Sequence, residues 1–166
     1  MWKDIEQHFK SSPKRREVAS LLLMLGLSCN DELKVFCQDI VVPVKKIADT
    51  LGIDRRVITE TVRDIMADEK LRGVFSELKP RAFLRDAASA LDLGVVEIEA
   101  VPETVGIVAG VSSIIASEGL SIRQVVADDP DLYPSPKLTI VTDRKMPPYL
   151  LEKILKIHGV RKVSIY

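Results

Sequence analysis

The sequence predicts an α+β protein with an all-helical N-terminal part and a mixed C-terminal part. Before residue 91, apolar residues recur mainly with helical spacing. From residue 95 onward, strand-like runs and glycine-terminated helical stretches follow in the order strand, helix, strand, strand, helix, strand. We therefore expect a helical domain over residues 1–78, a connecting helix over residues 79–94 and a second domain over residues 95–166.

The composition is that of a globular protein that can bury a core. The 166 residues are 46% apolar and 29% charged, and the net charge is zero, so no overall field attracts nucleic acid or an acidic membrane. The first 90 residues carry two more basic than acidic side chains, which places any polyanion contact in that half. Because no apolar run approaches the ~18 residues of a membrane span, and the start of the chain lacks a signal-peptide core, we expect a soluble, cytoplasmic protein without a membrane partner.

The sequence contains no pattern typical of catalysis or metal binding. Cys29 and Cys37 do not form a closely spaced ligand pair, and we expect both to be reduced thiols. His8 lacks a second candidate ligand nearby in sequence, and His158 lies at a predicted helix end beside Gly159. No phosphate-binding loop or nucleophile–histidine set is evident. We therefore expect no enzymatic activity, no catalytic residues, no metal and no cofactor.

The chain begins with two predicted helices. A short amphipathic helix covers residues 2–9, and a second begins at Ser12 with a proline in its first turn and ends near Gly26. The basic run at residues 14–16 is either a solvated first turn or a phosphate contact. Residues 35–42 either finish a helix or form an extended connector, and their periodicity does not decide between the two.

Residues 44–66 predict two short helices separated by a glycine turn. Gly52 suits a left-handed helix end, and Asp54 can cap the second helix. The stretch Ile47-Ala48-Asp49-Thr50-Leu51-Gly52-Ile53-Asp54-Arg55-Arg56-Val57-Ile58 resembles the helix-turn-helix family. The resemblance implies that the second helix is a recognition helix whose first residues face the major groove of DNA.

Six polar residues of this motif fall away from its apolar face and are candidate DNA contacts. They are Arg55, Arg56, Thr59 and Arg63 for base edges or phosphates, and Lys45 and Lys46 for phosphates. Glu60, Asp64 and Asp68 oppose them with negative charge. Two alternatives to DNA binding are a helical hairpin with a solvated charged face and a motif used only for dimerisation or protein contact.

An apolar stripe predicts the connecting helix over residues 79–94. Pro80 suits its first turn and Gly94 its end, and the stripe comprises Phe83, Leu84, Ala87, Ala88 and Leu91. Such a stripe packs on a core, between domains or at a dimer contact, and the sequence leaves these options open.

The second domain has the βαββαβ order of the ferredoxin-like fold. The predicted strands cover residues 95–101, 121–127, 138–142 and 160–166, with helices over residues 104–117 and from residue 147 to Gly159. In the first strand, Val96, Ile98 and Ala100 should face the core. The first and third strands lack aromatic residues, which argues against the RNA-binding version of this fold.

This domain resembles the ACT family, a small-molecule regulatory module of amino-acid metabolism. The matching residues are Glu103-Thr104-Val105-Gly106-Ile107-Val108 after the first strand and Ile114-Ile115-Ala116-Ser117-Glu118-Gly119-Leu120-Ser121-Ile122 before the second, and the order of elements over residues 95–166 is complete. Glu103 stands at the family's acidic or amide position, Val105 at its proline and Ser121 at a position that is often asparagine. The resemblance implies a ligand site at the Gly106 turn and dimerisation through this domain.

The residues themselves also support a ligand site at this turn. Backbone N–H groups at Gly106, Ile107 and Val108 start a helix and favour an anion such as a carboxylate. Glu103 could pair with a ligand ammonium, and Ser121 could donate or accept a hydrogen bond. The candidate ligand-binding residues are Glu103, Val105, Gly106, Ile107, Val108 and Ser121, and the alternative is a tight turn that binds nothing.

Together, these features predict a regulator in which a helix-turn-helix domain is controlled by an ACT-like domain. Its expected partners are an amino acid or a similar small metabolite, DNA, and a second copy of the chain in a homodimer or higher oligomer. The alternative is a regulatory or adaptor subunit that binds a metabolic enzyme and no DNA.

Overall fold

The chain forms two compact units, Met1–Ala82 and Phe83–Tyr166, in a computed structural model that describes residues 2–166. The architecture is α+β, as predicted, and each unit contains one antiparallel sheet. No helix in the described residues has the length and apolar character needed to cross a membrane.

The first unit contains five helices and three short strands in its described part. They are α1 Trp2–His8, α2 Pro13–Leu25, β1 Ser28–Cys29, β2 Val35–Cys37, β3 Ile40–Val42, α3 Val44–Leu51, α4 Arg55–Ala67 and α5 Glu69–Phe75. The predicted helix ends are confirmed at Gly26 and Gly52, which are both left-handed, with φ of 64° and 63°. Ser12 occupies the N-cap of α2, but its side chain makes no capping hydrogen bond.

The prediction that this unit is all-helical is wrong, because residues 28–42 form a three-stranded antiparallel sheet in the order β1-β2-β3. The side chain of Asn30 accepts hydrogen bonds from the N–H groups of Glu32 and Lys34, both at 3.2 Å, which closes the turn between β1 and β2. Gln38, with φ of 55°, lies in the turn between β2 and β3. These local turns bring apolar triplets together as a hairpin, so the open question about residues 35–42 is settled in favour of strands.

Helix α4 lies at the centre of the first unit. It contacts α2, α3 and α5, and one of its faces is fully buried through Ile58, Val62 and Ile65. Burial of three large aliphatic side chains contributes roughly 5–9 kcal/mol before conformational entropy is subtracted. Because this face is buried, the polar residues of α4 lie on its outer side.

The second unit has the βαββαβ order. Its elements are β4 Gly94–Ala100, α6 Ile107–Ser117, β5 Ile122–Ala127, β6 Leu138–Thr142, α7 Leu150–Leu155 and β7 Val160–Ile165. The sheet order is β5-β6-β4-β7, and each neighbouring pair is antiparallel. Strand β4 is therefore central, and β5 and β7 form the edges.

Helices α6 and α7 share a core with one face of this sheet. Val96 and Ile98 of β4 and Ile140 of β6 belong to one buried cluster with residues of both helices, and Ala100 packs against it. The helix residues of the cluster are Ile107, Val111, Ile115, Leu150 and Ile154. The predicted inward face of the first strand is thus confirmed.

The predicted connecting helix over residues 79–94 is wrong, because only a 3-10 turn, Ala88–Leu91, forms there. Leu84, Ala88 and Leu93 instead pack with Val95 and Val141 on the sheet face that α6 and α7 leave free. Phe83 and Leu91, two members of the predicted stripe, are exposed. Tertiary packing on the sheet therefore overrides the helical spacing of this segment.

Candidate functional site

The α3–α4 turn positions the candidate DNA-binding residues. The N–H of Ile53 donates to the carbonyl of Ala48 at 3.1 Å, which closes α3 at Gly52. The side chain of Asp54 then accepts from the N–H of Arg56 at 2.7 Å and caps α4, as predicted. These contacts set the direction in which α4 leaves the turn.

Four of the six predicted DNA-binding residues converge on one groove. Arg55, Arg56, Thr59 and Arg63 line a surface groove of about 390 Å³ together with Val44 and Glu60. The three arginines are exposed, and among the described residues none of them forms an ion pair. Lys45 and Lys46, in the first turn of α3, are also exposed but do not line the groove.

The three acids that oppose this basic groove all have partners within the first unit. Glu60 and Asp64 form ion pairs with Arg15 of α2. Asp68 caps α5 by accepting from the N–H of Leu71 at 2.9 Å, and its carboxylate lies 3.6 Å from Nδ1 of His8. Arg15, a member of the basic run at residues 14–16, thus faces α4 rather than solvent alone.

The turn between β4 and α6 holds the predicted ligand site. Gly106, with φ of 91°, is the N-cap of α6, and no side chain among residues 2–166 caps that helix. The N–H of Gly110 donates to the carbonyl of Gly106 at 2.9 Å, and the N–H of Thr104 donates to the carbonyl of Val101 at 3.2 Å. Helix α6 begins at Ile107 rather than at the predicted residue 104, because Glu103 and Gly106 both have positive φ. Glu103 adopts the left-handed conformation, with φ of 65°, which costs a non-glycine residue about 1–2 kcal/mol.

A cavity of about 150 Å³ adjoins this turn within the second unit. Glu103, Ile107 and Val108 of the predicted site line it, whereas Val105 and Gly106 do not. The side chain of Val105 is 96% exposed. Most of the remaining lining is apolar and includes Ile98, Ala100, Pro136 and Leu138, and the charged lining residues other than Glu103 are Asp128 and Lys137.

Ser121 does not join the other predicted ligand-binding residues. Gly94, at the start of β4, and Ile122, at the start of β5, both pair with Thr142. Ser121 therefore lies at the opposite end of β4 from the Glu103 turn, about 20 Å away at the rise of an extended strand. There its N–H donates to the carboxylate of Asp143 at 3.0 Å. Within one chain, Ser121 is therefore no part of a site at Gly106. The order of elements along the sequence does not specify at which end of the sheet a residue lies.

Comparison with known proteins gives only distant structural similarity. No family model matches the chain, and no curated protein matches it. The ACT domain of GTP pyrophosphokinase from Chlorobium tepidum is 19% identical over 45% of this chain and 96% of that domain, with a TM-score of 0.36. The regulatory subunit of aspartate kinase from Thermus thermophilus is 20% identical over 46% of this chain, which spans 51% of that subunit, with a TM-score of 0.36. A transcriptional regulatory protein of the AsnC family from Pyrococcus furiosus is 12% identical over 93% of this chain and 87% of that protein, with a TM-score of 0.28. These TM-scores are low, so a function for the chain can be inferred only from its own geometry.

Sequence reasoning missed residues that contribute to both sites. Asp128 and Lys137, which border the β5–β6 loop, reach the cavity near Glu103. The N–H of Asp128 donates to the carbonyl of Lys137 at 2.9 Å, which closes that loop. The three prolines and three acids of this loop were the only feature of the sequence that could have pointed to its part in the site. The pairing of Arg15 was harder to predict, because its partners Glu60 and Asp64 lie 45 and 49 residues further along the chain.

Proposed function

We propose that this chain is a ligand-responsive regulator that binds DNA through its first unit and an amino acid or related small metabolite through its second. The observation that carries the DNA-binding half is the groove on α4. There, three exposed arginines and Thr59 converge while the neighbouring acids are paired internally. Arginine can donate two hydrogen bonds to a guanine or hold a phosphate, and Thr59 can reach either group.

In this proposal α4 is the recognition helix and α3 crosses the DNA backbone. Lys45 and Lys46, at the start of α3, contact phosphates, and Arg55 and Arg56 open the helix that enters the major groove. The hydroxyl of Thr59 donates to the carbonyl of Arg55 at 3.3 Å in the free chain and is available as a further contact. A homodimer would present two such helices to a two-fold operator.

The test of DNA binding is a titration of a labelled duplex at about 50 and 150 mM salt, because phosphate contacts make affinity salt-dependent. The variant R55A/R56A should weaken binding and lower the slope of log affinity against log salt by about 2. The matched control is K156A/R161A, which removes two exposed charges from the second unit and should leave the slope unchanged. Absence of salt-dependent binding by the wild-type chain would reject the DNA-binding function.

The ligand half of the proposal places a carboxylate at the start of α6 and an ammonium at Glu103. The N–H groups of Ile107 and Val108 point out of the first turn of the helix, where its dipole favours an anion. Glu103 is exposed and makes no ion pair among the described residues, so its carboxylate is available to a cation. The adjoining cavity gives room for the rest of the ligand.

Thermal-shift screening of the twenty amino acids tests this site on the full chain. A ligand at about 100 times its Kd stabilises the fold by about 2.7 kcal/mol. The shift should be lost in E103Q and in G106V. If it survives both changes, the site lies elsewhere. S121A should retain the shift if one chain forms the site, and its loss in S121A would indicate a site shared between two copies.

The second candidate function is that of an adaptor subunit that binds an enzyme and no DNA. It is favoured by the end of the β2–β3 hairpin, where Ile40 and Val41 are 71% and 51% exposed. Adjacent exposed aliphatic side chains suit a protein contact. This function is retained only if the wild-type chain shows no salt-dependent DNA binding.

A further inference from the structure

The arginine-rich groove on α4 contains one carboxylate, that of Glu60. Glu60 lies four residues after Arg56 and three residues before Arg63, and both spacings place oppositely charged side chains within reach on a helix. An unpaired Glu60 would therefore pair with these arginines and compete with DNA phosphates for them. Asp64 lies one further turn along α4, next to Arg63 in sequence.

Arg15 occupies both of these carboxylates at once. Its Nη2 lies 2.5 Å from Oε2 of Glu60, and its Nη1 lies 2.5 Å from Oδ2 of Asp64. The side chain of Arg15 is 31% exposed, and it extends from α2 across to two successive turns of α4. A guanidinium can do this because its planar fork presents two donor nitrogens in fixed directions, whereas a lysine presents one point charge.

We propose that Arg15 is a positioning residue for the DNA-facing surface, which keeps Glu60 and Asp64 away from the arginines of α4. This inference rests on the proposed DNA-binding function. Arg15 does not have to touch DNA itself. It acts by neutralising two carboxylates beside the groove, so that Arg56 and Arg63 remain available to phosphates.

The experiment compares DNA binding by four variants with that of the wild-type chain, using one labelled duplex at about 50 and 150 mM salt. R15Q should weaken binding about three- to tenfold at the lower salt, with a smaller loss at the higher salt because screening weakens the released carboxylates. R15Q/E60Q/D64N should bind at least as tightly as the wild type, because the competing carboxylates are gone. K156Q, an exposed charge in the second unit, controls for net charge and should bind as the wild type.

A fourth variant separates local pairing from overall charge. R15Q/E69Q/E77Q has the same net charge as R15Q/E60Q/D64N, but it leaves Glu60 and Asp64 without Arg15. Glu69 and Glu77 are exposed and form no ion pair in the part of the chain that the structure describes. This variant should stay as weak as R15Q. Far-UV circular dichroism and thermal melts on every variant confirm that the first unit is folded.

Each outcome decides between specific claims. If the wild-type chain binds no DNA, the proposed function fails and this role of Arg15 fails with it. If the wild type binds and folded R15Q binds equally well, the role of Arg15 alone is overturned. If R15Q/E60Q/D64N folds but remains as weak as R15Q, Arg15 does not act by occupying the two carboxylates.

Discussion

Arg85 donates a hydrogen bond from Nε to the carboxylate of Glu97 at 3.0 Å, and this contact joins the segment before β4 to the central strand of the second unit. Glu97 is a charged residue in the middle of a sheet, with only 9% of its side chain exposed. The hydroxyl of Tyr166 also donates to it at 3.1 Å, and Nζ of Lys137 lies 3.4 Å away. The guanidinium of Arg85 in turn stacks over the ring of Tyr166 at 4.8 Å. These contacts supply the hydrogen bonds that a buried carboxylate requires.

The first prediction concerns the removal of Arg85. R85Q should lower the free energy of unfolding by about 1–3 kcal/mol, because Glu97 would lose a charged donor while remaining buried. The control is K162Q, which breaks the exposed pair between Lys162 and Glu99 at 3.2 Å and should cost about 0–1 kcal/mol. Urea denaturation followed by circular dichroism measures both. Equal losses of stability in R85Q and K162Q would show that burial of Glu97 does not strengthen its pairing with Arg85.

The second prediction concerns acid stability. Burial alone would raise the pKa of Glu97, but hydrogen bonds from Arg85 and Tyr166 and the charges of Arg85 and Lys137 bring it below the ordinary value of 4.5. A lowered folded-state pKa means that Glu97 stabilises the fold above the ordinary pKa, and that this contribution is lost as the pH falls through the folded value. The stability difference between wild type and E97Q should therefore shrink on acidification from about pH 6 to pH 3. A difference that stays constant across this range would contradict the assignment.

The third prediction compares two glycines with positive φ. A Cβ added at Gly159, with φ of 85°, would lie 2.6 Å from Cγ2 of Thr104, whereas a Cβ at Gly106 would meet nothing within 4 Å. G106A should therefore cost only backbone strain of about 1–2 kcal/mol, and G159A should cost clearly more. The double variant G159A/T104A should recover part of the excess in thermal melts, because it removes Cγ2 and Oγ1 of Thr104, the two nearest atoms, at 2.6 and 2.7 Å. If the two single variants are equally stable, the close contact of Gly159 with Thr104 is not a significant constraint.

The fourth prediction concerns the two thiols. Burial raises the pKa of the Cys29 thiol to about 12, so this residue is protonated and protected in the native chain. Cys37 is free and only half-buried. A disulfide reagent at about pH 8 should label Cys37 rapidly and Cys29 only slowly. C37S should abolish the fast phase, and a fast phase that persists in C37S would place the accessible thiol at Cys29.

The local features of the chain could be predicted because their causes lie within a few residues. Gly26 and Gly52 end helices through left-handed backbone, and Asp54 begins α4 by accepting from an N–H two residues later. The inward set of β4 follows from the alternation of side chains along a strand. The periodicity of residues 35–42 does not decide between helix and extended chain, and the turn of the hairpin, Gln38-Asp39, lacks the usual asparagine–glycine signal.

The candidate sites were predictable only in part. The basic residues of α4 share one groove because helical spacing determines which side chains lie on one face. The cavity near Glu103 also depends on Asp128 and Lys137, which no local pattern connects to that turn. The resemblance to the ACT family places Ser121 at the ligand site, whereas the parallel direction of β4 and β5 places it at the other end of the sheet.

The sequence by itself determined the ends of α2 and α3 at Gly26 and Gly52, the start of α4 at Asp54, the alternation of β4 and the basic face of α4, because each depends on spacing over a few residues. Only the tertiary structure decided that residues 83–93 cover a sheet face instead of forming a helix, since apolar spacing does not specify what a segment packs against. It also decided that Arg15 holds two carboxylates of α4 and that Tyr166 reaches Glu97. These partners are separated by 45, 49 and 69 residues, and contacts at such separations arise only when the packed core brings distant segments together.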